Sequence, residues 1–247
     1  MASQMLSDQT FAGASATLGK EQTTAGTMTL QGTVAKSLLL LVVALASGAF
    51  GWSKALDWFS TTGLWWLLGY FLLIGLTIAA AQNPSLAMPV GFLYALMMGF
   101  WMGAVSRVYE TVYDGIVAQA LLASVSAFLV CLLLYLSGAV RATPKMTRLI
   151  ITATLGIFVM YMAAWILSIF GVDLLLINQP NVWGIALSIG ICIVAALNLF
   201  LDFAVIETGI ERKAPAVMEW YAAFGLLATL VWLYAELLRL LALLRSR

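Results

Sequence analysis

The 247-residue chain is 63% hydrophobic and 9% charged, against roughly 45–50% and 25% in soluble domains, and its mean hydropathy is +1.02. So few charges cannot cover that much apolar surface in water, which excludes ordinary globular, disordered and fibrous classes and leaves an integral membrane protein. The net charge of +1 offers nucleic acid nothing to bind, and the absence of histidine removes His-ligated metals, Ser-His-Asp and Cys-His catalysis and a histidine pH switch.

Residues 1–31 are rich in Ser, Thr, Gly, Ala and Gln and hold no apolar run long enough to span a bilayer. They lack the basic start and early apolar stretch of a signal peptide. They read as a flexible polar tail on the side of synthesis, followed by a transmembrane domain over 32–247. A hydrocarbon core of about 30 Å needs roughly 20 apolar residues per helix. Seven stretches qualify: Ser37–Trp52, Gly63–Ala81, Leu86–Val105, Ile116–Val140, Leu149–Phe170, Val182–Ile206 and Trp220–Leu244. None alternates as a barrel strand would. Gly and Pro mark the breaks in "AQNPS", "RATPK", "INQPN" and "RKAPA". The fold class is therefore all-α, with seven transmembrane helices. Cys131 and Cys192 lie inside apolar runs and read as small core residues rather than a disulfide.

With seven spans the termini fall on opposite sides. Lys20, Lys36, Arg141, Lys145, Arg148, Arg212 and Lys213 share one side. Lys54, Arg245 and Arg247 share the other, with Arg107 at its edge. The positive-inside rule places the N-terminus in the cytoplasm. Trp52, Trp58, Trp65, Trp66, Tyr109, Tyr113, Trp183, Trp220 and Tyr221 stand at span ends, as an aromatic belt does. "GFWMG" (Gly99–Gly103) is a small-xxx-small motif for close helix packing within the chain.

Ionisable residues inside spans are costly unless paired, hydrated or neutralised, so each is a functional candidate. Five stand out: Arg107, Asp202, Glu207, Glu219 and Glu236. Asp202 lies in the last turns of the sixth span and Glu219 in the first turn of the seventh. A hairpin centred near residues 210 and 211 brings both carboxylates to one depth, where they would titrate as a unit. The structural alternative for Glu219 is an N-terminal helix charge favoured by the dipole. Glu207 is turned about 140° from Asp202 and is expected to meet Arg212 or Lys213. Glu236, three residues before Arg239, fits a local ion pair. Arg107, followed by Glu110 and Asp114, is expected to snorkel to the surface.

"NLFLDFAVIETG" (Asn198–Gly209), a short basic loop, and "MEWYAAFGLLATLVWLYAELLRLL" (Met218–Leu241) resemble the Bax inhibitor family, in particular its bacterial YccA-like branch. "FLYALMMGFWMGAVS" (Phe92–Ser106) resembles that family's third helix. The resemblance covers roughly Leu30 to Leu244. It implies six helices around a hydrophobic seventh. It also implies, for bacterial members, a pH-sensitive calcium leak channel; eukaryotic members suppress cell death by lowering calcium in internal stores. The family's sensor is a pair of acids at the end of the sixth helix and in the seventh. Asp202 matches the first by its place in "LFLDF". For the second, the string "WLYAE" points to Glu236 and depth points to Glu219, which lies about 25 Å from Glu236 along the helix. The family's arginine after the second helix is absent here, where Gln82 and Asn83 stand; Arg148, Arg212 or Lys213 are the candidate replacements.

The leading expectation is thus a pH-sensitive cation leak channel without a resident cofactor. Calcium is the permeant ion, since it prefers hard oxygen ligands of the kind Asp202 and Glu219 supply. A non-conducting regulator that binds membrane proteases or other membrane proteins is the alternative, with the GFWMG face or the tail as contact surface. A proton–calcium exchanger using the same carboxylates is a third reading. A retinal protein needs a lysine deep in its last helix, and none follows Lys213; a rhomboid-like protease needs histidine. An enzyme is not expected. The short loops and the family branch place the chain in a bacterial plasma membrane.

Overall fold

The computed structural model describes residues 26–58, 73, 75–80, 82–170 and 180–246. All regular structure among them is helical, apart from one isolated bridge between Thr27 and Pro215. The helices are α1 (Leu30–Trp58), α2 (described over 75–80), α3 (Ala87–Val112), α4 (Ile116–Leu136), α5 (Pro144–Ile169), α6 (Val182–Glu211) and α7 (Met218–Arg245). Six of them, α1 and α3 to α7, are long and apolar enough to cross a membrane. The α2 segment is the end of the expected second span, whose body, with Trp65 and Trp66, lies outside the described residues. The chain is an all-α integral membrane protein with seven helices.

Local chemistry sets the helix ends. Thr143 caps α5 by accepting from the Met146 N–H, with Pro144 at the first helical position. Asn181 caps α6 in the same way through Gly184. Gly138 and Gly115 take positive φ on either side of α4, a conformation that glycine adopts without a Cβ clash. Both oxygens of Glu110 accept at the start of α4, from Gly115 at 2.7 Å and Val117 at 3.0 Å.

The GFWMG motif packs inside the chain. A Cβ on Gly48 would stand 3.2 Å from the Gly99 carbonyl oxygen, and Gly99 and Gly103 leave still less room against Ala44 and Gly48. The backbones of α1 and α3 therefore touch, and Ser47 donates to the Leu96 carbonyl across the seam at 2.5 Å. Close approach of this kind replaces the missing hydrophobic drive between helices in lipid.

Helix α7 is the centre of the bundle. It packs on α1, α3, α4 and α6, and Tyr161 of α5 reaches it through Glu236. Ala222 and Ala223 are buried against neighbouring helices. Among the described residues its enclosure is open where α1 and α4 stand apart over a groove floored by α3 and α7.

Two boundaries differ from the sequence expectation. Residues 26–31, expected in the loose tail, are ordered: Met28 N donates to the Ala214 carbonyl at 2.7 Å, Ala216 N to Gly26 at 3.1 Å, and α1 begins at Leu30. Helix α6 continues to Glu211 rather than ending at Ile206. Gly209 is tolerated inside it, and the break comes only where Lys213 takes positive φ ahead of Pro215.

Candidate functional site

That extra turn of α6 decides which residues meet. The hairpin turn spans 212–217, so its centre lies beyond the expected 210–211. The residue of α7 at the depth of Asp202 is Gly225, not Glu219. A Cβ on Gly225 would stand 3.6 Å from Asp202 Oδ1, ordinary van der Waals contact; the carboxyl group lies against this glycine. The Thr229 hydroxyl, one turn deeper on the same face, stands near Asp202 and donates to the Gly225 carbonyl oxygen at 3.2 Å. Tyr221, one turn toward the loop, also stands near Asp202. Asp202 Oδ2 is buried and no described group donates to it. No described lysine or arginine forms an ion pair with it.

A threonine hydroxyl carries one hydrogen and two lone pairs. Thr229 donates to the Gly225 carbonyl oxygen, so its hydroxyl oxygen keeps acceptor capacity on the Asp202 side.

Glu219 is engaged elsewhere. Its Oε1 accepts from Thr29 N at 2.8 Å and Thr29 Oγ1 at 3.0 Å. Its Oε2 pairs with Lys36 Nζ at 2.6 Å, and Lys36 also stacks over Trp220 at 5.1 Å. The expected Asp202–Glu219 pair is thus replaced by two separate arrangements, because the longer α6 sets Asp202 deeper than the first turn of α7. Lys36, read in the sequence only as a tail-side charge, is the functional neighbour that reading missed. Its signal was its place nearly two turns inside α1, directly ahead of a long apolar run.

Between the two lies an apolar seal. Met28, Ile206, Ala214, Met218 and Ala222 form one buried cluster, with Ile206 one turn above Asp202. The ordered end of the tail thus caps the tail-side mouth of the α6–α7 hairpin.

The remaining candidates are apart from this site. Glu236 is buried and fully bonded: Tyr161 Oη donates at 2.8 Å, Trp232 Nε1 at 3.2 Å, and Arg239 pairs at 2.9 Å. The expected i,i+3 ion pair is present. Glu207 accepts from Tyr135 of α4 rather than from Arg212 or Lys213, since it faces the neighbouring helix and not the loop. Arg107 stacks on Trp52 at 5.3 Å. Arg148, Arg212 and Lys213 are exposed on the tail side, and Lys36 holds the Glu219 carboxylate there.

No curated protein and no solved structure matches the chain. A family model described as Bax inhibitor 1 like matches residues 8–246. The chain belongs to the Bax inhibitor 1-like family.

Proposed function

We propose that this Bax inhibitor 1-like protein is a pH-sensitive cation leak channel of a bacterial plasma membrane, with calcium as the permeant ion and the tail side in the cytoplasm. Asp202 is the group on which proton and cation compete. The observation that carries this reading is a half-buried carboxylate whose buried Oδ2 has no hydrogen-bond partner and no counter-cation among the described residues, lying against a glycine of the central helix. Such a group in a membrane span is retained for function rather than stability. Calcium takes hard oxygen ligands, and the Asp202 carboxylate, the Thr229 hydroxyl and the Gly225 carbonyl provide them in one place. Glu219 acts differently here, as the latch that fastens the apolar seal above the site.

The test is calcium flux into liposomes holding only this protein, on either side of neutral pH. Wild type is expected to conduct at rates that differ between the two conditions, and Asp202→Asn to remove most of that difference. Thr229→Val should flatten the pH response and Thr229→Ser preserve it. An unchanged pH response in Asp202→Asn sinks the gate assignment. No flux at all from folded wild type favours the non-conducting regulator of membrane proteases or other membrane proteins. The GFWMG face would not be its contact surface, because α1 already covers it.

A further inference from the structure

The groove beside α7 has a volume of about 850 Å³. Its walls are α1 and α4, and along α1 it runs from Thr33 to Trp52. Nineteen helical steps at about 1.5 Å give about 28 Å, the thickness of a bilayer's hydrocarbon core. Leu38, Leu45, Val125 and Leu129 on its rims are about half exposed, so it opens sideways into lipid. It is not a water path. The hydroxyls of Thr33, Ser37 and Ser124 donate to carbonyls of their own helices, and those of Ser106 and Tyr234 bond each other at 2.6 Å. The lining therefore offers an occupant little but carbon.

The two ends differ in charge. At the tail-side end, Lys36 is committed to Glu219. At the other end, Trp52 lines the groove and Arg107 lies over its ring. Among the described residues no carboxylate forms an ion pair with Arg107. The nearby Glu110 is spent on the first backbone N–H groups of α4. A guanidinium at the hydrocarbon boundary, at the mouth of an apolar channel as long as an acyl region, complements a lipid phosphate.

We propose that this groove is a phospholipid site, selective for an anionic lipid, with the phosphate on Arg107 and an acyl chain lying along α7. The site lies on the opposite face of α7 from Gly225 and does not depend on ion passage. Lipid held there covers a side of the central helix that the other described helices leave open.

The full-length protein, reconstituted in mixed phosphatidylcholine–phosphatidylglycerol vesicles and extracted gently, should retain phosphatidylglycerol in native mass spectra. Arg107→Gln should lower the preference for phosphatidylglycerol over phosphatidylcholine roughly fivefold, the factor for one arginine near a charged lipid surface, and Arg107→Lys should keep most of it. Val125→Trp, which fills the groove, should lower retention of both lipids. Wild type with no retained lipid overturns the proposal, as does retention by Arg107→Gln and Val125→Trp equal to wild type. So does cross-linking between two copies through cysteines at Leu38 and Leu129, which would make the groove a dimer contact. Should Val125→Trp not fold, wild type supplies a second reading. Spin-labelled phosphatidylglycerol should show a larger motionally restricted component than spin-labelled phosphatidylcholine, and equal components overturn the assignment.

Discussion

A carboxylate inside a bilayer must be paired, bonded or neutralised, and the acids of this bundle divide sharply on that point. Glu236 has donors from Tyr161, Trp232 and Arg239. Glu219 has Lys36 and both donors of Thr29. Asp202 has no described hydrogen-bond or ion-pair partner, with Thr229 and Tyr221 only nearby. Substitution should therefore act in opposite ways. Glu236→Gln removes the charge that Arg239 pairs with at 2.9 Å and should cost about 3–5 kcal/mol. Asp202→Asn removes an uncompensated charge and should leave stability within about 1 kcal/mol of wild type or raise it. Thermal unfolding in detergent separates the two, and a larger loss for Asp202→Asn would show that its carboxylate is structural. Asp202 was legible in the sequence because it is a lone acid in an apolar run. Its neighbours were not, since matching depth across a hairpin requires the turn's centre, and a helix that continues through Gly209 moves that centre. The Glu219–Lys36 pair joins residues 183 positions apart, and no local pattern announces such a contact.

Between elements, the tightest seam is α1 against α3, and its small residues were readable on one side only. "GFWMG" announced a close contact, but its partner, Ala44 with Gly48 and Gly51, is spread through a helix with no obvious motif. Glycines on this seam and glycines facing outward should respond oppositely to the same change. At Gly103 a methyl group would meet the Gly48 backbone, and backbone cannot step aside as a flexible side chain does. Gly103→Ala should cost about 1–3 kcal/mol. At Gly156 in α5 a Cβ meets nothing within 4 Å, so Gly156→Ala should stabilise by up to about 1 kcal/mol through helix propensity. Equal melting temperatures for the two variants would contradict the seam. Span positions were legible because hydropathy follows directly from the need to satisfy every backbone group in lipid. Span ends were not, because they depend on single caps: Thr29 with Glu219 starts α1 earlier than hydropathy does, and the Lys213 turn ends α6 later.

At the scale of the molecule, the start of the chain is fastened to its last hairpin. Seven spanning helices would put the termini on opposite faces, in which case cysteines replacing Ser7 and Ser246 should react with impermeant reagents from opposite sides of a sealed vesicle; labelling from one side would overturn the topology. The fastening itself makes a sharper claim. Backbone bonds from Met28 to Ala214 and from Ala216 to Gly26 would fray in water if nothing held the strands in register. What holds them is the Glu219 carboxylate, which grips Thr29 on one oxygen and Lys36 on the other. With Lys36 removed, Glu219 is a partly desolvated charge that gains by reaching water, and the strap carrying Met28 must move for it to do so. Loss of one partner of such a pair costs about 3 kcal/mol, or roughly a hundredfold in the closed population. In a protein with Cys131 and Cys192 replaced by alanine, a cysteine at Met28 should be protected from a polar thiol reagent, because that position is buried. Adding Lys36→Met should raise its reaction rate by up to that factor, while Lys36→Arg, which keeps the charge, should raise it far less. A cysteine that reacts equally fast in all three backgrounds means that the strap is open without help, and that the apolar seal above Asp202 is not governed by Glu219.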